Sequence, residues 1–375
     1  MKTFLFPLTL LLSACSGMAP GIIPPAGTAA LNAQASAKRL QIRVFRSYGN
    51  EGTVHVRARV MKPENQRPES PSDSSLLNFW RNLTALSVKE VAGVAVELTL
   101  NGKSQRFVSD KEGMIQAPVQ GFGPLAPGIH TLQASLSPGQ AYTAPVVTEK
   151  MVIQASQTPS LGIVSDIDDT IKISNVTNKL KSLRRLLFSN SFTVGPVPGT
   201  SVLYQRLDQR LDGQINNGDV HYLSGSPINL SDTIYNFMDF RNYPKGSVDL
   251  KKWGFGPGDD NPIHQENYKQ EKLRQLFQTY PQRSFLLFGD SGEKDPEIYR
   301  AIATEFPGRV KGIFINNVSK SKPNEPRFQG VHLTANATEQ AQILLQSGLL
   351  SAEDVEAVGK ATTAYTAFAQ ANNLY

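Results

Sequence analysis

The sequence predicts an α/β protein in two parts, a small antiparallel β-sandwich domain followed by a larger domain built on a parallel sheet. Three observations lead there. From Leu40 to about residue 155, apolar residues recur at every second position in short runs separated by turns. From Leu161 onward, buried-strand runs alternate with segments of helical spacing. Three of those runs stop at polar clusters, as strands do when they deliver side chains to the C-terminal edge of an open parallel sheet.

At 375 residues the chain exceeds one typical domain, and 40% hydrophobic with 19% charged residues describes an ordinary globular protein. The formal charge of +6 fits approach to an anionic surface, such as a membrane or an acidic substrate. Its basic residues are scattered, with no stripe of aromatic and basic side chains, so no nucleic acid is expected as a partner. A single cysteine, Cys15, excludes an internal disulfide, and with only five scattered histidines a Cys/His structural zinc site is not expected.

Residues 1–14 have the charged start and short apolar core, Phe4 to Leu12, of a secretory signal, too short to span a bilayer comfortably. Leu12-Ser13-Ala14-Cys15 resembles the bacterial lipobox, which implies cleavage before Cys15 and acylation of it. Several acyl chains anchor stably where one is marginal. The alternative is a plain signal with an incidental cysteine. Residues 15–38, rich in Gly, Pro, Ala and Ser, read as a flexible tether. Anchoring in the bacterial cell envelope follows, and Ser16 is compatible with the outer membrane, facing the periplasm, in a Gram-negative source.

Residues 39–155 form the expected sandwich. Leu40, Ile42 and Val44 pair across the Gly49-Asn50-Glu51-Gly52 turn with Val54, Val56 and Ala58. Leu76, Phe79, Trp80, Leu83 and Leu86 have helix-like spacing and predict an inserted helix within Leu76 to Val91. Strands resume around Val94 to Leu100, Arg106 to Val108 and Ile129 to Leu132, with turns at Asn101-Gly102 and Asp110-Lys111-Glu112-Gly113. His55 and His130 stand alone on strands and read as structural or exposed.

The parallel-sheet domain is expected over 159–320. Its first run, Leu161 to Val164, leads into Asp166-Ile167-Asp168-Asp169-Thr170. Three carboxylates in four residues repel one another, and a cation or a proton-transfer task would compensate. Read alone, the motif is equally an acidic turn. A second run, Val220 to Leu223, ends in Ser224-Gly225-Ser226-Pro227, where a hydroxyl and backbone N–H groups suit an anion, although such a sequence is also an ordinary turn. A third, Ser284 to Phe288, ends in Gly289-Asp290-Ser291-Gly292-Glu293-Lys294-Asp295, preceded by a helix from Tyr268 to Tyr280.

Asp-x-Asp-x-Thr, the strand-end Ser, the helical Lys and the Gly-Asp pair occur in the order found in haloacid dehalogenase-like phosphohydrolases. Over about Leu161 to Val318 the chain resembles, more narrowly, the catalytic domain of the actin-patch-type phosphatidate phosphatase family. The resemblance implies a Rossmann-like parallel-sheet domain and a magnesium-dependent phosphatase. Asp166 would be the nucleophile and Asp168 the general acid and base. Thr170, Ser224, Gly225 and Lys269 would bind phosphate, with Lys269 preferred to Lys272. Asp166, Asp168, Asp290 and Asp295 would serve Mg2+, a cation content with a few carboxylates, waters and phosphate oxygens. Ile228-Asn229 departs from the aromatic the family tends to carry there. Too few residues follow Thr170 for a large cap, so an open pocket for a bulky or surface-bound substrate is expected; Lys179, Lys181, Arg184 and Arg185 form either a solvated helix face or a phosphate- or membrane-facing one. Residues 321–375 read as a helical extension packing on this domain.

The expected activity is hydrolysis of a phosphomonoester by an anchored enzyme, most simply phosphatidate to diacylglycerol and phosphate through an aspartyl-phosphate. A soluble phosphomonoester as substrate and a non-catalytic, cation-binding lipoprotein with a protein partner are the alternatives.

Overall fold

The computed structural model describes residues 38–63, 67–87, 89–174, 188–214, 216–252 and 265–371. Residues 1–14, Cys15, the tether up to residue 37, and the basic stretch with Lys179, Lys181, Arg184 and Arg185 lie outside the described residues.

The first half forms one eight-stranded sheet from β1 (Gln41–Val44), β2 (Ser47–Gly49), β3 (Thr53–Met61), β4 (Ala95–Leu100), β5 (Lys103–Val108), β6 (Met114–Gln120), β7 (Gly128–Leu136) and β8 (Val147–Ile153). Helix α1 (Ser75–Leu86) is inserted after β3, beginning at Ser74, whose hydroxyl caps the Leu77 N–H at 3.2 Å. Alternation places Val54, Val56, Ala58 and Val60 of β3 in one buried cluster with Val96 and Leu98 of β4 and Leu132 of β7. The sheet is mixed rather than purely antiparallel, because β8 runs parallel to β2 while pairing antiparallel with β7. Period-two alternation says which residues face the core and carries no information on a neighbour's direction.

The intervening residues of β3 are not solvent-facing. Arg57 is buried, its guanidinium pairing with Asp249 at 2.8 Å and donating to the Arg46 carbonyl at 3.1 Å. Arg46 in turn donates to Asp239 at 2.8 Å and lies 4.3 Å over the Tyr235 ring. These contacts join the first sheet to the second half, and Arg39–Tyr375 forms one compact unit. His55 is held here too, by Thr279 at 2.8 Å, and burial pushes its pKa down to about 4. His130 bonds the Ala126 carbonyl at 2.7 Å.

The second sheet comprises β9 (Ser160–Ser165), β10 (Val220–Pro227), β11 (Gly246–Lys251), β12 (Arg283–Asp290), β13 (Val310–Asn316) and β14 (His332–Thr334). Its order is β11-β10-β9-β12-β13-β14, with every neighbour parallel. The apolar runs lack alternation because both faces are covered. Ile163, Leu286 and Phe288 pack on one face with Leu203 and Leu207 of α2 (Thr200–Asp212) and Ile234 and Phe237 of α3 (Ser231–Phe240). Val164, Phe285 and Leu287 pack on the other with Leu273 and Phe277 of α4 (Gln265–Thr279) and Ile298 and Ile302 of α5 (Asp295–Glu305). Two further helices, α6 (Ala337–Gln346) and α7 (Ala352–Ala371), close the first of these faces, and Asp354 of α7 accepts from Arg210 of α2 at 2.8 Å. The strand order reverses between β9 and β12, and in open α/β sheets such a reversal leaves a crevice at the C-terminal ends of the two strands.

Candidate active site

Asp166 follows the last residue of β9, and Asp290 is the last residue of β12, so the two carboxylates meet at that crevice. Asp295 begins α5 and reaches back to the same point. Gly289 makes this approach possible: a Cβ there would sit 2.5 Å from Asp295 Oδ2 and 2.6 Å from its Cβ. Asp166, Asp290 and Asp295 are all buried, each offering an oxygen within 4.8 Å of the others.

One ammonium joins this cluster. Lys269 of α4 is itself buried, and its Nζ donates to Asp166 Oδ1 at 2.8 Å, Asp295 Oδ1 at 2.6 Å and Glu293 Oε2 at 2.9 Å. Lys272, one turn on, points elsewhere and lies 3.6 Å from Asp249. Burial acts against the Lys269 ammonium, yet Asp166, Asp295 and Glu293 hold its pKa well above the ordinary lysine value. Asp166 is pushed well above the carboxylate range by burial, opposed by Lys269 and reinforced by Asp295 and Glu293. Burial likewise raises Asp290, with Asp295 and Asp166 adding to it. Four carboxylates around one ammonium leave an excess of negative charge. Asp290 Oδ1 accepts from the Gly292 N–H at 2.6 Å, whereas its Oδ2 is buried with no hydrogen-bond partner.

Asp168 stands outside that carboxylate group, in a ring of donors. Oδ2 accepts from Ser224 at 2.9 Å and Ser226 at 2.6 Å, and Oδ1 from Ser174 at 2.6 Å and the Lys172 ammonium at 2.8 Å. Burial opposes its ionisation, but Lys172 and these hydroxyls hold its pKa far below the usual range. Thr170 Oγ1 donates to Asp166 Oδ2 at 3.1 Å. Asp169 turns the chain in the left-handed region at φ 58°, its carboxylate taking the Ser174 N–H at 2.5 Å and its carbonyl the Asn316 side chain at 2.9 Å. Gly225 is buried between the two serines, in a strand that continues to Pro227 with a register shift after Ser224, rather than in a turn. Beside Asp169 a cavity of about 420 Å³ opens, lined by Ile173, Val197, Pro198, Val318 and Asn336.

The structure therefore gathers Asp166, Asp168, Thr170, Ser224, Gly225, Lys269, Asp290 and Asp295 at one sheet edge, while Cys15 is not described. Sequence reasoning passed over Lys172, Ser174, Ser226 and Glu293. Ser226 had a visible signal, its position two residues after Ser224 on an extended backbone, which turns both side chains to one side.

Residues 161–317 match the model of the family described as phosphatidate phosphatase APP1, catalytic domain. The chain is 30% identical over 166 residues to the Saccharomyces cerevisiae protein named phosphatidate phosphatase APP1, covering 44% of this chain and 27% of that protein. It is 29% identical over 180 residues to uncharacterized protein C29B5.04c of Schizosaccharomyces pombe, covering 46% and 28%. The chain thus spans little more than a quarter of the length of these curated relatives. Among solved structures, a Parabacteroides merdae β-glucuronidase aligns over 76% of this chain and 34% of its own at 11% identity, with a TM-score of 0.25, too low to bear on fold or function. The crevice carboxylates, the serine ring and Lys269 all fall inside residues 161–317, the segment that matches the phosphatidate phosphatase APP1 catalytic-domain model.

Proposed function

We propose that the chain is a haloacid dehalogenase-like phosphohydrolase that removes phosphate from a phosphomonoester, with a phosphatidate-type lipid as substrate. The observation that carries this reading is the meeting of Asp166, Lys269, Asp290 and Asp295 at the sheet crevice, beside the separately held Asp168. Two carboxylates in such different surroundings suit two roles.

In the first step an Asp166 oxygen attacks phosphorus, an O–P bond forms, and the bond from phosphorus to the leaving alkoxide breaks. Both Asp166 oxygens are engaged, and the 3.1 Å bond from Thr170 is a weaker hold than the 2.8 Å bond from Lys269. Oδ2 is therefore the oxygen more readily released to attack. Asp168 supplies the proton to the alkoxide. In the second step a water attacks the aspartyl-phosphate, Asp168 takes its proton, and Asp166 is regenerated. Lys172 holds Asp168 ionised in the resting site. A phosphate dianion drawing that ammonium toward itself would raise Asp168 and let it carry a proton. Ser224 and Lys269 are placed to offset charge on the transferring phosphoryl group.

The carboxylate set fits a hard divalent cation, since the negative charge exceeds what Lys269 neutralises and Asp290 Oδ2 has no partner. Asp166, Asp290 and Asp295 would hold Mg2+, which when bound would supply Lewis-acid stabilisation of the phosphoryl oxygens. Acylation at Cys15, proposed from Leu12-Ser13-Ala14-Cys15, would keep the enzyme at the lipid surface of a bacterial envelope.

The full chain, assayed against phosphatidate dispersions and water-soluble phosphomonoesters, should release phosphate from the lipid in a magnesium-dependent way and stop in excess chelator. Asp290→Asn should raise the magnesium concentration needed. Turnover of the soluble panel alone would move the substrate to a soluble ester. Full activity in chelator would remove the metal, and no release from any ester would remove the enzyme.

A further inference from the structure

Helix α1 is amphipathic in the reverse sense. Asn78, Asn82 and Ala85 are its buried residues. Leu76, Leu77, Trp80 and Leu83, by contrast, are exposed, Leu76 at 64% and Trp80 at 58%. Soluble helices of this length turn their apolar stripe to the core. Here the polar stripe is fixed to the body instead: Asn78 donates to the Phe188 carbonyl at 3.3 Å and Asn82 to the Ser189 carbonyl at 2.9 Å. Phe188, itself 38% exposed, stacks on Phe79 at 5.0 Å and extends the outward apolar surface.

We propose that this face, Leu76, Leu77, Trp80 and Leu83 with Phe188, docks into the surface of a phospholipid bilayer and holds the crevice over lipid headgroups, a proposal that rests on the lipid-phosphatase reading. Three features choose a bilayer. The helix carries no carboxylate, and its one cation, Arg81, is drawn inward to Asp73 at 2.7 Å, so nothing charged has to be desolvated from the outward face. The chain outside the described residues, 175–187, ends at Phe188, and its sequence has four Lys or Arg and no Asp or Glu, a charge complementary to anionic headgroups. An exposed Trp among Leu and Phe suits the boundary between headgroups and acyl chains. The position suits delivery as well. Ala85 at the end of α1 accepts from Asn229 at 3.0 Å, in the turn directly after Ser226, and Ser226 bonds Asp168. Asn229, within the Ile228-Asn229 departure from the family's aromatic, thus ties the end of the helix to the segment that follows the serine ring.

The full chain carrying Trp253→Phe keeps Trp80 as its only tryptophan. On adding phosphatidylcholine vesicles, with and without phosphatidate, Trp80 emission should shift to the blue and be quenched by lipids brominated in their acyl chains. This readout stands even if the protein hydrolyses nothing, so the docking and the activity fail separately. In the otherwise unaltered chain, Trp80→Ser with Leu83→Ser should slow hydrolysis of vesicle-borne phosphatidate by about tenfold or more, as loss of two apolar side chains that docking would take out of water implies, and leave a water-soluble phosphomonoester unaffected. An equal loss on both substrates would mean a structural role and overturn the proposal. So would Trp80 emission that stays water-exposed with vesicles present, as a protein partner would leave it, or emission already shielded from aqueous quenchers before lipid is added, as self-coverage would give.

Discussion

Asp168→Asn is expected to lower phosphomonoester turnover by roughly 100- to 10,000-fold, the span that general acid–base help covers. The variant keeps the attacking Asp166 but loses the proton donor for the alkoxide and the base for water. An aryl phosphate, whose leaving group needs little protonation, should still phosphorylate the protein, and the phosphoenzyme should accumulate because its hydrolysis lacks a base. Acid quench and counting of label check this. An unchanged turnover number would mean that the ring formed by Lys172, Ser174, Ser224 and Ser226 serves some other purpose than setting the charge of Asp168.

Lys269→Met is expected to cost about 3–5 kcal/mol of stability, because removing one member of a buried ion pair leaves the others without compensation. Here three carboxylates, from Asp166, Glu293 and Asp295, share the one ammonium. Urea unfolding should show a lower midpoint with an unchanged slope. Lys272→Met removes an ammonium that faces Asp249 at 3.6 Å, away from the carboxylate cluster, so it should leave phosphate release intact. Equal stability of the wild type and the Lys269 variant would mean that the carboxylates are compensated by something other than this side chain.

Much of the site was legible because it lies where buried strands end. The runs before Asp166, Ser224 and Asp290 are continuous and apolar, and the structure explains them: Phe285 and Leu287 fill one face of the sheet while Leu286 and Phe288 fill the other. What spacing could not show were partnerships across the fold. Glu293 joins Lys269 from 24 positions away, and Lys172 and Ser174 reach Asp168 only because Asp169 turns the chain at positive φ. The parallel pairing of β8 with β2 left no mark in the alternation, and the alternation of β3 held no sign of the contact its Arg57 makes with Asp249. The helix Ser75–Leu86 was legible from its period, but its orientation was not: the same apolar stripe that marks a helix is here the side turned away from the protein.

Asp166 as the nucleophile is tested most directly by trapping phosphoenzyme from a labelled aryl phosphate and mapping the label. The wild type and Asp168→Asn should carry label on the peptide containing Asp166, with more in the variant, and Asp166→Asn should carry none, because an amide oxygen is a far poorer nucleophile than a carboxylate. Label on another residue, or equal labelling of Asp166→Asn, would contradict the assignment and leave the carboxylate cluster as a cation site without covalent chemistry.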